Sequence, residues 1–347
     1  MRYNNTVFAG KGERCMQPIE GQYRNIMNRL GLTMLVFEAL YAIFGVAIGV
    51  LPLFTDLLIN PIAGEVLYEL LYGLMYTAIF LLPVAFFCLI SRGKRQEPMY
   101  LELHLPRATL LYIFAGVAVI SAAAYLNSYI VSIFEYDVFT EQLMESHSVT
   151  TNYQLVLMVF TTAVVPAFVE EFLFRGLILS NLAPYGRTTA VVASALLFGL
   201  MHQNAGQLLY ATAAGIVLGL IYVKTKSIWP CVLLHFVNNF ISVIQTALLQ
   251  RLGEDTANGI IGVMQGLIFG VGLVCAVVLI LREKAERPAV FTTGCFEKNL
   301  PADPEYAPAE LPVGRRVRLF FSAPMIIFLV ICIVQMVGLI LMALLLS

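Results

Sequence analysis

Charge is scarce in this chain: of its 347 residues only 12% are Asp, Glu, Lys or Arg, against 59% from the hydrophobic set. A soluble globular domain carries about twice that share of charge, so a soluble fold is excluded first. The 21 basic and 22 acidic residues leave a net charge of −1, which gives no electrostatic footprint for nucleic acid or an acidic partner. Histidine is limited to four residues and HExxH is absent, so the one-helix zinc-protease spacing is missing. Six cysteines show no CxxC spacing. Four of them, Cys88, Cys231, Cys275 and Cys332, fall inside apolar runs, so free packing thiols are expected rather than a disulfide framework or a zinc knuckle.

What the chain has instead is long apolar runs. A run of about 20 residues crosses a hydrocarbon core of roughly 30 Å as a helix. Nine candidates are read, near Leu30 to Leu53, Val66 to Ile90, Thr109 to Phe134, Tyr153 to Ser180, Thr188 to His202, Gln207 to Val223, Ile228 to Leu249, Gly259 to Leu281 and Leu319 to Leu346. The expected fold is therefore an all-α polytopic membrane bundle of about eight to nine transmembrane helices with an intramembrane catalytic cavity. Its first run begins about 29 residues in and is too long for a cleavable signal, so a retained span is expected.

Loop charge sets the expected orientation. Basic residues sit before the first run (Lys11, Arg14, Arg24, Arg29), after the second (Arg92, Lys94, Arg95, Arg107), after the fourth (Arg187), after the sixth (Lys224, Lys226) and after the eighth (Arg282, Lys284, Arg287, Arg315, Arg316, Arg318). The intervening segment Thr55 to Gly64 has none, and Glu135 to Asn152 has acids but no Lys or Arg. The positive-inside bias then places the N-terminus in the cytoplasm of what reads as a bacterial cell membrane, and with nine spans the C-terminus outside. Three regions are expected: residues 1–152 with three spans, residues 153–250 as a catalytic core with four, and residues 251–347 with two spans joined by a Pro-rich cytoplasmic loop at 282–318.

Polar groups inside the runs are where function is sought, since a central charge costs about 2.5–3.5 kcal/mol on insertion scales. They concentrate in the central region: Glu170, Glu171 and Arg175 in the fourth run, His202 at the end of the fifth, His235, Asn238 and Asn239 in the seventh. Helical spacing lets Glu171 pair with Arg175 at i, i+4 and leaves Glu170 on a different face. His235 and Asn239 share a face, as do Phe198 and His202. A carboxylate and an imidazole beside a trapped water can act as general base, while a His and an Asn can donate to the oxyanion of a tetrahedral intermediate, which points to amide hydrolysis. The same groups are also the ingredients of a His₂-carboxylate zinc or other divalent metal site, with Glu170, His202 and His235 as ligands. The bland alternative is a buried ion-pair network that fixes helix packing. His104 and His147 fall in loops, and Glu38, the acid of the first run, is expected to be protonated or locally hydrogen-bonded rather than catalytic. Gly215 with Gly219, and Gly262 with Gly266 and Gly270, form small-residue faces expected to permit close helix contact.

Glu170-Glu171-x-x-x-Arg175, then Phe198-x-x-x-His202, then His235-x-x-x-Asn239, each in its own hydrophobic run, resembles the CPBP family of CAAX prenyl endopeptidases and Abi-type or bacteriocin-processing intramembrane proteases. The resemblance spans roughly Tyr153 to Leu249. It implies that Glu170 and His202 activate water, that Glu171 and Arg175 play a mainly structural and electrostatic part, and that His235 and Asn239 stabilise the oxyanion. The family's mechanism is described both as metal-dependent and as metal-free; no required cofactor is the favoured expectation. The implied partners are the lipid bilayer and a membrane-associated protein or peptide substrate, with oligomers open. A non-proteolytic membrane scaffold or regulator that retains the motif is the alternative.

Overall fold

Backbone N–H and C=O groups find no water in a hydrocarbon core and must pair within their own segment, so apolar runs of this length fold as helices. The structure, a computed structural model, describes residues 19–58, 61–93, 99–133, 149–286 and 311–346, and among them only helices and their connections occur. In chain order these are α1 (Ile19–Leu58), α2 (Pro61–Ile90), α3 (Thr109–Ile133), α4 (Asn152–Tyr185), α5 (Arg187–Leu200), α6 (Ala205–Thr225), α7 (Trp229–Leu252), α8 (Glu254–Glu286), α9 (Val313–Phe320) and α10 (Ala323–Leu346). Among the described residues eight helices are long and apolar enough to cross a membrane, and the protein is an all-α, multi-pass integral membrane protein. The acidic stretch from Glu135 to His147, and most of the Pro-rich segment from Arg287 to Glu310, lie outside the described residues.

One expected span is corrected. The run Thr188 to His202 forms the 14-residue helix α5, about 21 Å long and short of the roughly 30 Å core. The chain turns at its end because Gln203 takes a left-handed φ of 53° and Asn204 caps α6, its side chain accepting from Gly206 N at 2.8 Å. His202 therefore sits in a turn, not on a helix. α5 and α6 pack along each other, and Arg187 and Lys226 line one small cavity, so the pair starts and returns at the same end of the bundle. Gly215 makes this close packing feasible: a Cβ there would lie 2.8 Å from the Ala195 Cα. By contrast, among the described residues Gly262, Gly266 and Gly270 on α8 have nothing within 4 Å of where a Cβ would stand, so no described residue packs on that stripe.

α4 is the central element, touching α2, α5 and α7, while α3 packs against α6, α7 and α8, and α1 against α2 and α10. Contacts gather the basic loop residues at one end. Arg29 donates to Ser91 Oγ at 2.6 Å, Arg315 pairs with Glu20 at 2.5 Å, and Arg316 donates to the Tyr185 carbonyl at 2.7 Å. Arg316 fills the space beside Gly186, whose φ of +146° and lack of a side chain let α4 end there. The opposite end is tied by Glu65, which accepts from Tyr153 and Gln154, and by Arg251, which donates to the Val149 carbonyl. All four cysteines of the described residues are free, as expected.

Candidate active site

α4 is not a uniform α-helix. Two π-helical segments, Val159–Val164 and Phe172–Leu179, flank the α-helical stretch Val165–Glu171 that carries both glutamates. Pro166 explains the first: it lacks the N–H that a regular turn would direct at the Thr162 carbonyl. Asn239 of α7 satisfies that carbonyl instead, its Nδ2 donating at 3.0 Å. In the second segment Ser194 of α5 donates to the Phe174 carbonyl at 2.9 Å, and Ser180 to that of Arg175 at 3.1 Å. Side chains of α5, α7 and α4 itself thus hold the irregular backbone around the acids, which is how such helix defects are tolerated inside membranes.

Glu171 and Arg175 are both fully buried, and the guanidinium donates from Nη1 to Glu171 Oε1 at 2.8 Å. Arg175 also donates to the Gly215 carbonyl at 3.2 Å and lies 4.6 Å above the centre of the Phe198 ring. That cation–π contact is the physical role of the Phe in Phe198-x-x-x-His202. His235 joins the pair from α7: its Nδ1 lies 2.9 Å from Glu171 Oε1 and its Nε2 3.9 Å from Glu170 Oε2. A carboxylate facing Nδ1 fixes the proton there, so Nε2 presents its lone pair toward Glu170 in the neutral ring and an N–H in the imidazolium.

Glu170 is 3% exposed, yet among the described residues its Oε2 has no hydrogen-bond partner. Its other oxygen, Oε1, accepts from the Tyr76 hydroxyl of α2 at 2.5 Å. Tyr76 is a contact that the sequence did not disclose, because a tyrosine is one of 16 in the chain and α2 carries no motif. Its ring is itself held by Tyr72 and Phe80, with centroids 6.0 and 5.0 Å away.

The six expected site residues are thus unequally assembled. Glu170, Glu171, Arg175 and His235 are linked in series, Arg175 to Glu171, Glu171 to His235 and His235 to Glu170. His202 reaches them through the Phe198 ring, 5.3 Å from its own ring and 5.9 Å from that of His235, and it makes no hydrogen bond with Glu170. Its Nδ1 meets the Phe198 carbonyl at 2.9 Å, leaving Nε2 for another partner. Asn239 has one amide hydrogen committed to Thr162, while its Oδ1 accepts from Asn238, which also donates to Tyr210. The ligand set considered for zinc, Glu170, His202 and His235, is not gathered around one point: among the described residues no group of three or more His, Cys, Asp or Glu side chains is placed to hold a metal ion.

Tyr76→Phe removes one charge-assisted hydrogen bond of about 1.5–3 kcal/mol without changing shape. It is expected to lower kcat about tenfold and leave KM unchanged, read from steady-state cleavage kinetics; an unchanged kcat would mean that Tyr76 only packs.

Residues 152–241 match the family model for the type II CAAX prenyl endopeptidase Rce1-like proteins. A Bacillus subtilis (strain 168) protein named "Putative membrane peptidase YdiL" is 32% identical over 93 residues, covering 26% of this chain and 37% of that protein. The chain therefore spans little more than a third of the curated relative that it matches. No solved structure matches the chain. The matched segment is similar to that family over the region where the three motifs lie, and it contains every one of the six candidate residues.

Proposed function

We propose that the protein is an intramembrane endopeptidase that hydrolyses a peptide bond near the membrane surface lined by Arg187, Lys226 and Arg315, which the positive-inside bias makes the cytoplasmic one. The observation that carries this reading is the orphaned oxygen of Glu170: a buried carboxylate held at Oε1 by Tyr76, with Oε2 unpaired beside an imidazole. Leaving such an atom unsatisfied in an apolar bundle is costly, and a water about to be deprotonated is the partner that offsets it.

In this mechanism water gives a proton to Glu170 while its oxygen adds to the scissile carbonyl. The oxyanion is met by the second amide hydrogen of Asn239, with His235 beside it. The C–N bond then breaks, and the proton passes from Glu170 to the leaving amine. Glu171 and Arg175 orient His235. His202, whose Nε2 is uncommitted, takes up the water or the carbonyl when substrate tightens the site, since catalytic hydrogen bonds are often long before substrate binds. No step runs through a metal, and none of the site's contacts requires one.

The family's description and the relative's name both support a membrane-associated protein or peptide as substrate. The test compares membranes from cells carrying wild-type protein or His202→Ala for precursor proteins that accumulate uncut. A defined set of longer membrane proteins is expected in the variant; identical proteomes, with the variant still inserted and complementing a deletion, would favour a scaffold.

A further inference from the structure

We infer that Glu38, on α1, is a positioning residue for His202, and that with Gln203 and Gln335 it forms a clamp by which helices outside the matched segment hold the α5–α6 turn. This rests on the reading of His202 as part of the site.

Glu38 is 5% exposed, although it sits on an otherwise apolar helix. Its partners are distant in sequence. Gln203 Nε2 lies 3.0 and 2.8 Å from its two carboxylate oxygens, and Gln335 Nε2 of α10 donates to Oε1 at 2.7 Å. A carboxylate only accepts and an amide nitrogen only donates, so the three side chains fit as one acceptor with two donors. The first amide ties α1 to the α5–α6 turn, and the second adds a polar contact to the packing of α1 against α10.

Gln203 is the residue next to His202 and the one whose φ of 53° reverses the chain after α5. A left-handed glutamine persists only where its surroundings enforce it. The backbone gives the turn modest support, with His202 N to Gly199 O at 3.3 Å and Gln203 N to Leu200 O at 3.0 Å. The buried Gln203 side chain, 6% exposed and gripped by Glu38, supplies the rest. Releasing it lets the 202–203 peptide rotate and carries the His202 ring away from Phe198, and with it from the glutamates.

The test uses full-length protein in proteoliposomes and three variants: Glu38→Gln, Gln203→Glu and both together. The first removes the charge and one of the two oxygens that accept from Gln203 and Gln335, and the second sets carboxylate against carboxylate. The double variant restores one donor and one acceptor with their roles exchanged, and the new amide's carbonyl still accepts from Gln335. Two readouts are taken: diethylpyrocarbonate modification rates at His202 and at exposed His104, resolved by peptide mass mapping, and kcat and KM on a quenched-fluorescent farnesylated peptide. Each single change is expected to raise His202 modification about fivefold with His104 unchanged, and to lower kcat about tenfold with KM unchanged, the size expected for charge-assisted hydrogen bonds that orient a group. The double variant is expected to return both toward wild type.

Unchanged His202 reactivity in the single variants, an equal rise at His104, or no recovery in the double variant overturns the clamp. Should Glu38→Gln fail to insert, Gln335→Leu, which removes one donor alone, must still raise His202 reactivity about twofold, for a single lost contact. If wild-type protein cleaves no peptide, the endopeptidase reading fails, and the modification rates still decide the clamp.

Discussion

Glu170→Gln is expected to lower turnover about 10²- to 10⁴-fold, the range set by removal of a general base, while leaving insertion and thermal stability close to wild type. The substitution is nearly isosteric, and its carbonyl can still accept from Tyr76, which holds Oε1 at 2.5 Å. Only the capacity to take a proton at Oε2 is lost. Glu171→Gln provides the contrast. Glu171 Oε1 is already engaged by Arg175 and by His235, at 2.8 and 2.9 Å, so its change disturbs a charge network and should reduce stability as well as activity. Single-turnover cleavage together with melting in detergent separates the two. A Glu170→Gln protein that keeps more than about a tenth of wild-type kcat would reject water activation by this residue, since general-base removal leaves far less.

The legible part of this structure is the part that the bilayer itself enforces. An acid such as Glu171 in a run of Val, Phe and Leu is conspicuous because burial demands a partner, and i, i+4 spacing named Arg175 as that partner correctly. The motif Phe198-x-x-x-His202 did not disclose what Phe198 touches: its ring is a platform for Arg175 and also meets both imidazoles. The length of α5 was not legible, because the apolar pattern runs through Met201 while the reversal depends on Gln203, a residue with no turn signature. The π-helical segments were hidden too. Pro166 announces a break, but not that Asn239, 77 positions from the Thr162 carbonyl it leaves open, would repair it. Glu38 is hydrogen-bonded, but not locally as its sequence surroundings suggested: its donors lie 165 and 297 positions off, and no local periodicity encodes such pairs. Tyr76 belongs to the same class of long-range contact.

Arg175→Leu is expected to be the most destabilising single change in the protein, by about 3–5 kcal/mol, because it strips the partner from a buried anion rather than removing a pair. Arg175 is 0% exposed and links three elements at once: Glu171 on its own helix, the Gly215 carbonyl on α6, and the Phe198 face on α5. Without it, Glu171 keeps only His235, and the Gly215 carbonyl loses its guanidinium donor. Lysine is expected to rescue little, since one ammonium cannot both bridge the carboxylate and carbonyl and lie flat on the ring. The double change Glu171→Leu with Arg175→Leu removes both charges and should recover a large part of the stability, while activity stays low because His235 then has no carboxylate at Nδ1. Melting temperature and cleavage rate across the four proteins test this directly. Recovery of stability without activity assigns the pair to holding His235. Equal recovery of both would leave Glu171 and Arg175 with a purely structural part, and a single Arg175→Leu protein as stable as wild type would mean that the buried anion finds another donor within the bundle.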